Sequence, residues 1–315
     1  MKNGDKKKKA PRNRTLEMSD SDCKRLLPTL LKAEELASIS PVGRIIHGDT
    51  FDVLPRLAGS EFDLLFADPP YNLTKRFGTE EFSSVSSEKY EAWLESWLSL
   101  CLPLLKRTAS VYICGDWRSA SAIQRVGSKY FKLQNRITWE REKGRGAKRN
   151  WKNAVEDIWF FTMSGEFTFN LDAVKQRRRV IAPYKQNGEP KDWNESADGN
   201  FRDTHPSNIW TDITVPFWSM PENTDHPTQK PEKLLAKIIL ASTNPGDLIL
   251  DPFAGSGTTA VVAKKLGRKF VVIESDEDYC LLATKRLEIA ESDRSIQGLS
   301  DGVFWERNSQ KIIHR

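Results

Sequence analysis

Short, mostly apolar runs recur along the chain at 44–47, 61–67, 110–114, 134–139, 155–163, 248–250 and 269–273. Runs that are apolar throughout, not at every second position, predict strands buried on both faces. Between them the period changes. Tyr90, Trp93, Leu94, Trp97, Leu98 and Cys101 recur at steps of three and four, so 88–105 predicts a helix with one apolar face. Pro231 opens a second helix with Leu234, Leu235, Ile238 and Ile239 on one side. Residues 256–266 predict a third, closed by Gly267, and 277–290 a fourth. This alternation implies an α/β fold, a parallel sheet with helices on both faces. The pattern fails over 164–225, which is rich in Asn, Asp, Pro and Trp and reads as an irregular inserted lobe. The expected divisions are a basic tail and weak helix at 1–42, main-fold segments at 43–163 and 226–290, the lobe between them, and a tail at 291–315. Order is expected to begin near Gly43.

Composition changes this picture little. The chain has 315 residues and a formal charge of +5. Residues 1–14 carry seven basic residues and one acid, so the other 301 sum to −1. The tail reads equally as a solvated segment or a DNA-binding arm. No apolar run approaches the roughly 20 residues of a membrane helix, and the hydrophilic start shows no secretory signal. The four cysteines lack a C-x-x-C pair and the four histidines are scattered. No disulfide framework or metal site is expected, and a cytoplasmic setting is.

Two segments carry chemistry. Asp251-Pro252-Phe253-Ala254-Gly255-Ser256-Gly257-Thr258-Thr259 joins a strand to a helix. Glycines there admit a ligand close to the backbone, and the helix start offers free N–H groups. Glu274 ends the next strand, 19 residues after Gly255, where an acid accepts from ribose hydroxyls. Gly255, Gly257 and Ala260 also satisfy the dinucleotide fingerprint, so a nicotinamide site and a bare turn stay open here. A P-loop is excluded by the missing Gly-Lys-Ser/Thr.

The second segment, Asp68-Pro69-Pro70-Tyr71, follows a buried strand at the carboxyl edge of the sheet. Two prolines stiffen the backbone and remove two donors. A carboxylate, carbonyls and an aromatic ring remain, which suits an amino group on a planar base. Accepting both N–H bonds, at Asp68 and the Pro69 carbonyl, makes the amine lone pair available. In-line placement and electrostatics then matter more than a strong base. Tyr71 would stack on a base that has left the duplex. An ordinary turn is the other reading of these four residues alone.

Taken in order, His47-Gly48-Asp49-Thr50, Asp68-Pro69-Pro70-Tyr71-Asn72, His226-Pro227-Thr228-Gln229-Lys230-Pro231 and the 251–259 loop resemble the β-group S-adenosylmethionine-dependent DNA amino-methyltransferases. The resemblance covers about 43–290 and includes the permuted order, catalytic half first. It implies a seven-stranded, mostly parallel sheet with its last strand antiparallel. It also implies S-adenosyl-L-methionine as cofactor. Its holders would be Asp49, Thr50, Asp68, His226, Thr228, Lys230 (towards the carboxylate), Asp251, Phe253, Ala254, Gly255, Ser256, Gly257 and Glu274. Asp68 in place of Ser implies N6 of adenine, with N4 of cytosine as the alternative. Double-stranded DNA is the implied partner, with a homodimer or a separate restriction nuclease as further partners.

DNA contact is expected from the loop 141–152, with six basic residues against one acid, and from the lobe. The candidates are Arg145, Lys148, Arg149, Arg177, Arg178 and Arg179. Trp151, Trp193, Trp210 and Trp218 read as packing residues of the lobe. The competing classes are a nicotinamide oxidoreductase, which leaves the double proline unexplained, and a catalytically silent nucleic-acid-binding module.

Overall fold

The computed structural model describes residues 10–306 apart from 74, 78–79, 83, 142–148, 182–183 and 197–198. A nine-stranded sheet contains β1 (Leu31–Lys32), β2 (Arg44–His47), β3 (Phe62–Ala67), β4 (Leu105–Gly115), β5 (Lys132–Glu140), β6 (Val155–Thr162), β7 (Ile209–Trp210), β8 (Leu248–Asp251) and β9 (Lys269–Glu274). The order is β1-β2-β9-β8-β3-β4-β6-β5-β7. All neighbours are parallel except β6, which is antiparallel to β4 and β5. The two edge strands have two residues each. The other seven form the expected mostly parallel sheet. The antiparallel strand closes the first half of the chain, and β8 and β9 still follow it.

Helices α1 (Asp20–Leu26), α2 (Thr50–Val53), α3 (Ser87–Cys101), α4 (Ala120–Tyr130), α5 (Glu232–Ser242), α6 (Thr258–Lys265) and α7 (Glu277–Ser292) cover the sheet. Two cores result. Leu64, Phe66, Tyr112 and Cys114 face α1 and α5–α7. Leu65, Ala67, Val111 and Ile113 point the other way, against α2–α4. Successive strand residues alternate sides, and both sides are covered, which explains the continuous apolar runs. The pattern of 88–105 is α3, begun by Ser86, whose side chain accepts from the Lys89 amide at 3.4 Å.

The structure departs from the sequence expectations at three places. Order precedes Gly43: α1 has a Ser19–Asp22 capping box, and its Arg25 and Asp22 pair with Glu288 and Lys285 of α7. Helix α4 was not foreseen; Gly127 sits in it because a Cβ there would lie 2.5 Å from the Phe161 ring. The segment after 290 is more than a tail. Its strand Val303–Trp305 pairs with Gln176–Arg179, which also pairs with Gly199–Thr204, in a separate five-stranded sheet.

Candidate active site

The carboxyl ends of β2, β3, β8 and β9 open on one cavity of about 340 Å³. Asp49, Thr50, Asp68, Pro69, Pro70 and Tyr71 line it, as do His226, Thr228, Lys230, Asp251, Phe253, Ala254, Gly255, Ser256 and Glu274. Five stretches of sequence therefore meet at one edge of the sheet, where open α/β folds hold ligands.

Buried bonds fix the glycine loop. The Gly255 amide donates to Glu274 Oε2 at 2.7 Å, and the Ala254 amide to the Ile273 carbonyl at 2.9 Å. Asp251 accepts from the Phe253 amide at 2.9 Å and from Thr259 Oγ1. Gly257, at φ +74°, begins α6, and a Cβ there would meet Ala283 Cβ at 2.5 Å. Gly255, at φ +52°, faces His226, whose Nε2 lies 2.9 Å from where its Cβ would be. His226 packs edge-on against Tyr279. Thr50 Oγ1 donates to the Pro252 carbonyl at 2.5 Å, and Asp49 caps α2 through the Phe51 amide. Ser256 accepts from Arg286 through both its carbonyl and its hydroxyl. Burial pushes the Asp251 and Glu274 carboxyls up to about 7.

The wall opposite is the double-proline turn. Tyr71 donates to Asp68 Oδ1 at 2.8 Å, and Tyr90 donates to the Pro70 carbonyl at 3.0 Å. Burial, then the Asp68 charge, raises the Tyr71 pKa far above its ordinary value, so the phenol stays protonated. Lys230 donates to Asp68 Oδ2 and lies 3.5 Å from Glu156 Oε2. Burial works against the Lys230 charge, but Asp68 and Glu156 outweigh it and raise its pKa. The lysine thus sits against the carboxylate of the turn and lines the cavity.

Glu156 was missed from sequence. It is 4 % exposed, lines the cavity and accepts from Arg141. Glu156 and Asp157 are two acids at the start of an otherwise apolar strand, and that pattern was the available signal.

Of the six DNA-contact candidates, four lie within the described residues. Arg145 and Lys148 lie outside the described residues. Arg149 and Arg179 are exposed. Arg177 is held by a two-point ion pair with Asp203, at 2.8 and 2.7 Å, and lies over Trp305. Arg178, partly buried, reaches Gln176 at 3.4 Å. Trp193 and Trp210 are packed as expected, but Trp218 is half exposed and Trp151 is 93 % exposed. Among the described residues no His/Cys/Asp/Glu group is placed to hold a metal ion, and no helix is long and apolar enough to cross a membrane.

The DNA methylase family model matches residues 62–285. The chain is 37% identical over 254 residues to the DNA adenine methyltransferase YhdJ of Escherichia coli K12, covering 78% of this chain and 83% of that protein. It is 34% identical over 250 residues to the type II methyltransferase M.HpaI of Haemophilus parainfluenzae, covering 78% and 74%. Among solved structures it resembles the M1.HpyAVI–SAM complex, with a TM-score of 0.54 at 26% identity over 77% of this chain and 98% of that one. The PvuII cytosine-N4 methyltransferase shares the fold, with a TM-score of 0.57 at 19% identity over 79% and 90%. The span of the family match and the identity to curated relatives establish that the chain belongs to the DNA methylase family.

Proposed function

We propose that this protein methylates N6 of adenine in double-stranded DNA, with S-adenosyl-L-methionine as methyl donor. One observation carries the reading: the Asp68–Tyr71 turn and the 251–256 loop line one cavity. The donor fits the loop side. Gly255 leaves a cradle that a Cβ would fill, and the partly buried Glu274 carboxylate is an acceptor for ribose hydroxyls. Bound there, the donor supplies a methyl group already activated on a sulfonium.

The chain's own residues do the rest. Asp68 and the Pro69 carbonyl accept the two hydrogens of the amine and hold its lone pair in line. The Asp68 charge stabilises the positive charge that develops on nitrogen. Tyr71 stacks on the flipped base. Asp49, Thr50, His226 and Thr228 shape the donor's side of the cavity. Adenine is favoured over cytosine by Asp68 and by the name of the relative at 37% identity.

Calorimetric titration with S-adenosylhomocysteine and with NAD tests the cofactor; binding of NAD alone would sink this reading. Long-read sequencing of DNA from expressing cells tests the product. A new N6-methyladenine motif is expected, absent with Asp68→Ala. A mark on cytosine, or one that persists in the variant, overturns it.

A further inference from the structure

Both oxygens of Asp68 are already engaged. Tyr71 holds Oδ1 and Lys230 holds Oδ2. Each oxygen keeps a second acceptor site, so an amine can still donate there, but while Lys230 stays its ammonium neutralises the charge that the amine needs. Lys230 is the partner with somewhere to go. Its ammonium lies between two carboxylates, and the second, Glu156, presents Oε2 at 3.5 Å. That oxygen is buried and has no hydrogen-bond partner among the described residues. The other oxygen of Glu156 is held by Arg141, which fixes the carboxylate in place. Side-chain exposure is 6 % for Lys230 and 5 % for Glu156, so neither charge can turn to solvent instead.

We infer that Glu156 is a positioning residue: it takes Lys230 from Asp68 when the substrate amine arrives, which returns the full Asp68 charge to that amine. Lys230 is then a counter-ion with two seats. One seat shields Asp68 while the site is empty. The other, on Glu156, is taken during transfer. The inference rests on the proposed methyl transfer.

The test compares wild type, Glu156→Gln and Glu156→Asp in single-turnover methylation of DNA and in S-adenosylhomocysteine affinity. Glu156→Gln keeps Lys230 on Asp68 and should slow transfer by about tenfold or more, with affinity within about twofold. Glu156→Asp keeps the charge and should recover part of the rate. A Glu156→Gln rate within about twofold of wild type overturns the inference. Parallel loss of rate and affinity also overturns it, because it marks a structural role. Tighter ligand binding in Glu156→Gln without slower transfer would mean that Lys230 moves to the cofactor carboxylate instead. A wild type that binds S-adenosylhomocysteine but methylates no DNA would fault the proposed function, not Glu156.

Discussion

The Tyr71 hydroxyl donates to the carboxylate of Asp68, three residues before it, at 2.8 Å. In the proposed reaction the same ring would also stack on the target base, so one residue would combine a stacking surface with a clamp on the acceptor. The two roles separate by substitution. Tyr71→Phe keeps the ring and frees Oδ1, so transfer should fall by no more than about tenfold. Tyr71→Ala loses the stack, worth about 1–3 kcal/mol per base, and should weaken binding of DNA carrying an unpaired target adenine. Single-turnover rates and DNA affinities measured side by side would show whether the two variants separate as expected.

Glu274 makes the ligand-free protein sensitive to pH. Burial raises its carboxyl from 4.5 to about 7. The folded state then holds a proton that the unfolded state has lost. Its stabilising contribution is complete below 4.5 and is lost as pH rises through about 7. Glu274→Gln should flatten the fall in melting temperature between pH 5 and 8 that is expected of the wild type. The same variant should weaken S-adenosylhomocysteine binding at pH 8, where the wild-type acid is ionised. A melting profile with the same slope in both proteins would contradict this.

The two loop glycines should fail differently. Gly257→Ala puts a methyl 2.5 Å from Ala283 Cβ at φ +74°, which costs about 2–4 kcal/mol of stability. Gly255→Ala meets the side chain of His226 at 2.9 Å and not a packed helix. It should lose ligand affinity more than stability. Thermal melts with and without S-adenosylhomocysteine distinguish the two.

Much of this was legible in the sequence. Continuous apolar runs gave the strands because both faces of the sheet are covered, and the ordered motifs gave the cavity because parallel strands bring their carboxyl ends together. What escaped depends on distant partners. The weak helix expected before Gly43 is α1, but its docking by ion pairs on α7, 263 residues away, was not legible. Helix α4 carries a glycine that only the Phe161 ring explains. The pairing of Arg177, a DNA-contact candidate, with Asp203 was not legible because the two meet only once the strands fold together.

Trp151 also escaped, in the opposite sense. It was expected to pack, yet it is 93 % exposed beside Lys152 and two residues before Asn153, which lines the cavity. That position suits contact with DNA at the mouth of the site. Trp151→Ala should weaken DNA binding by about 1–3 kcal/mol with ligand affinity unchanged. Fluorescence titration checks it: a wild-type signal that DNA does not quench would count against the contact.

The strand Gln176–Arg179 lies between Gly199–Thr204 and Val303–Trp305. During synthesis the first neighbour is made soon after it, but the second leaves the ribosome more than a hundred residues later. The main sheet has all its strands by Glu274, so it can close while the smaller sheet is still incomplete. A nascent chain would then hold the cavity before it holds the finished smaller sheet, whose completion waits on the strand at 303–305.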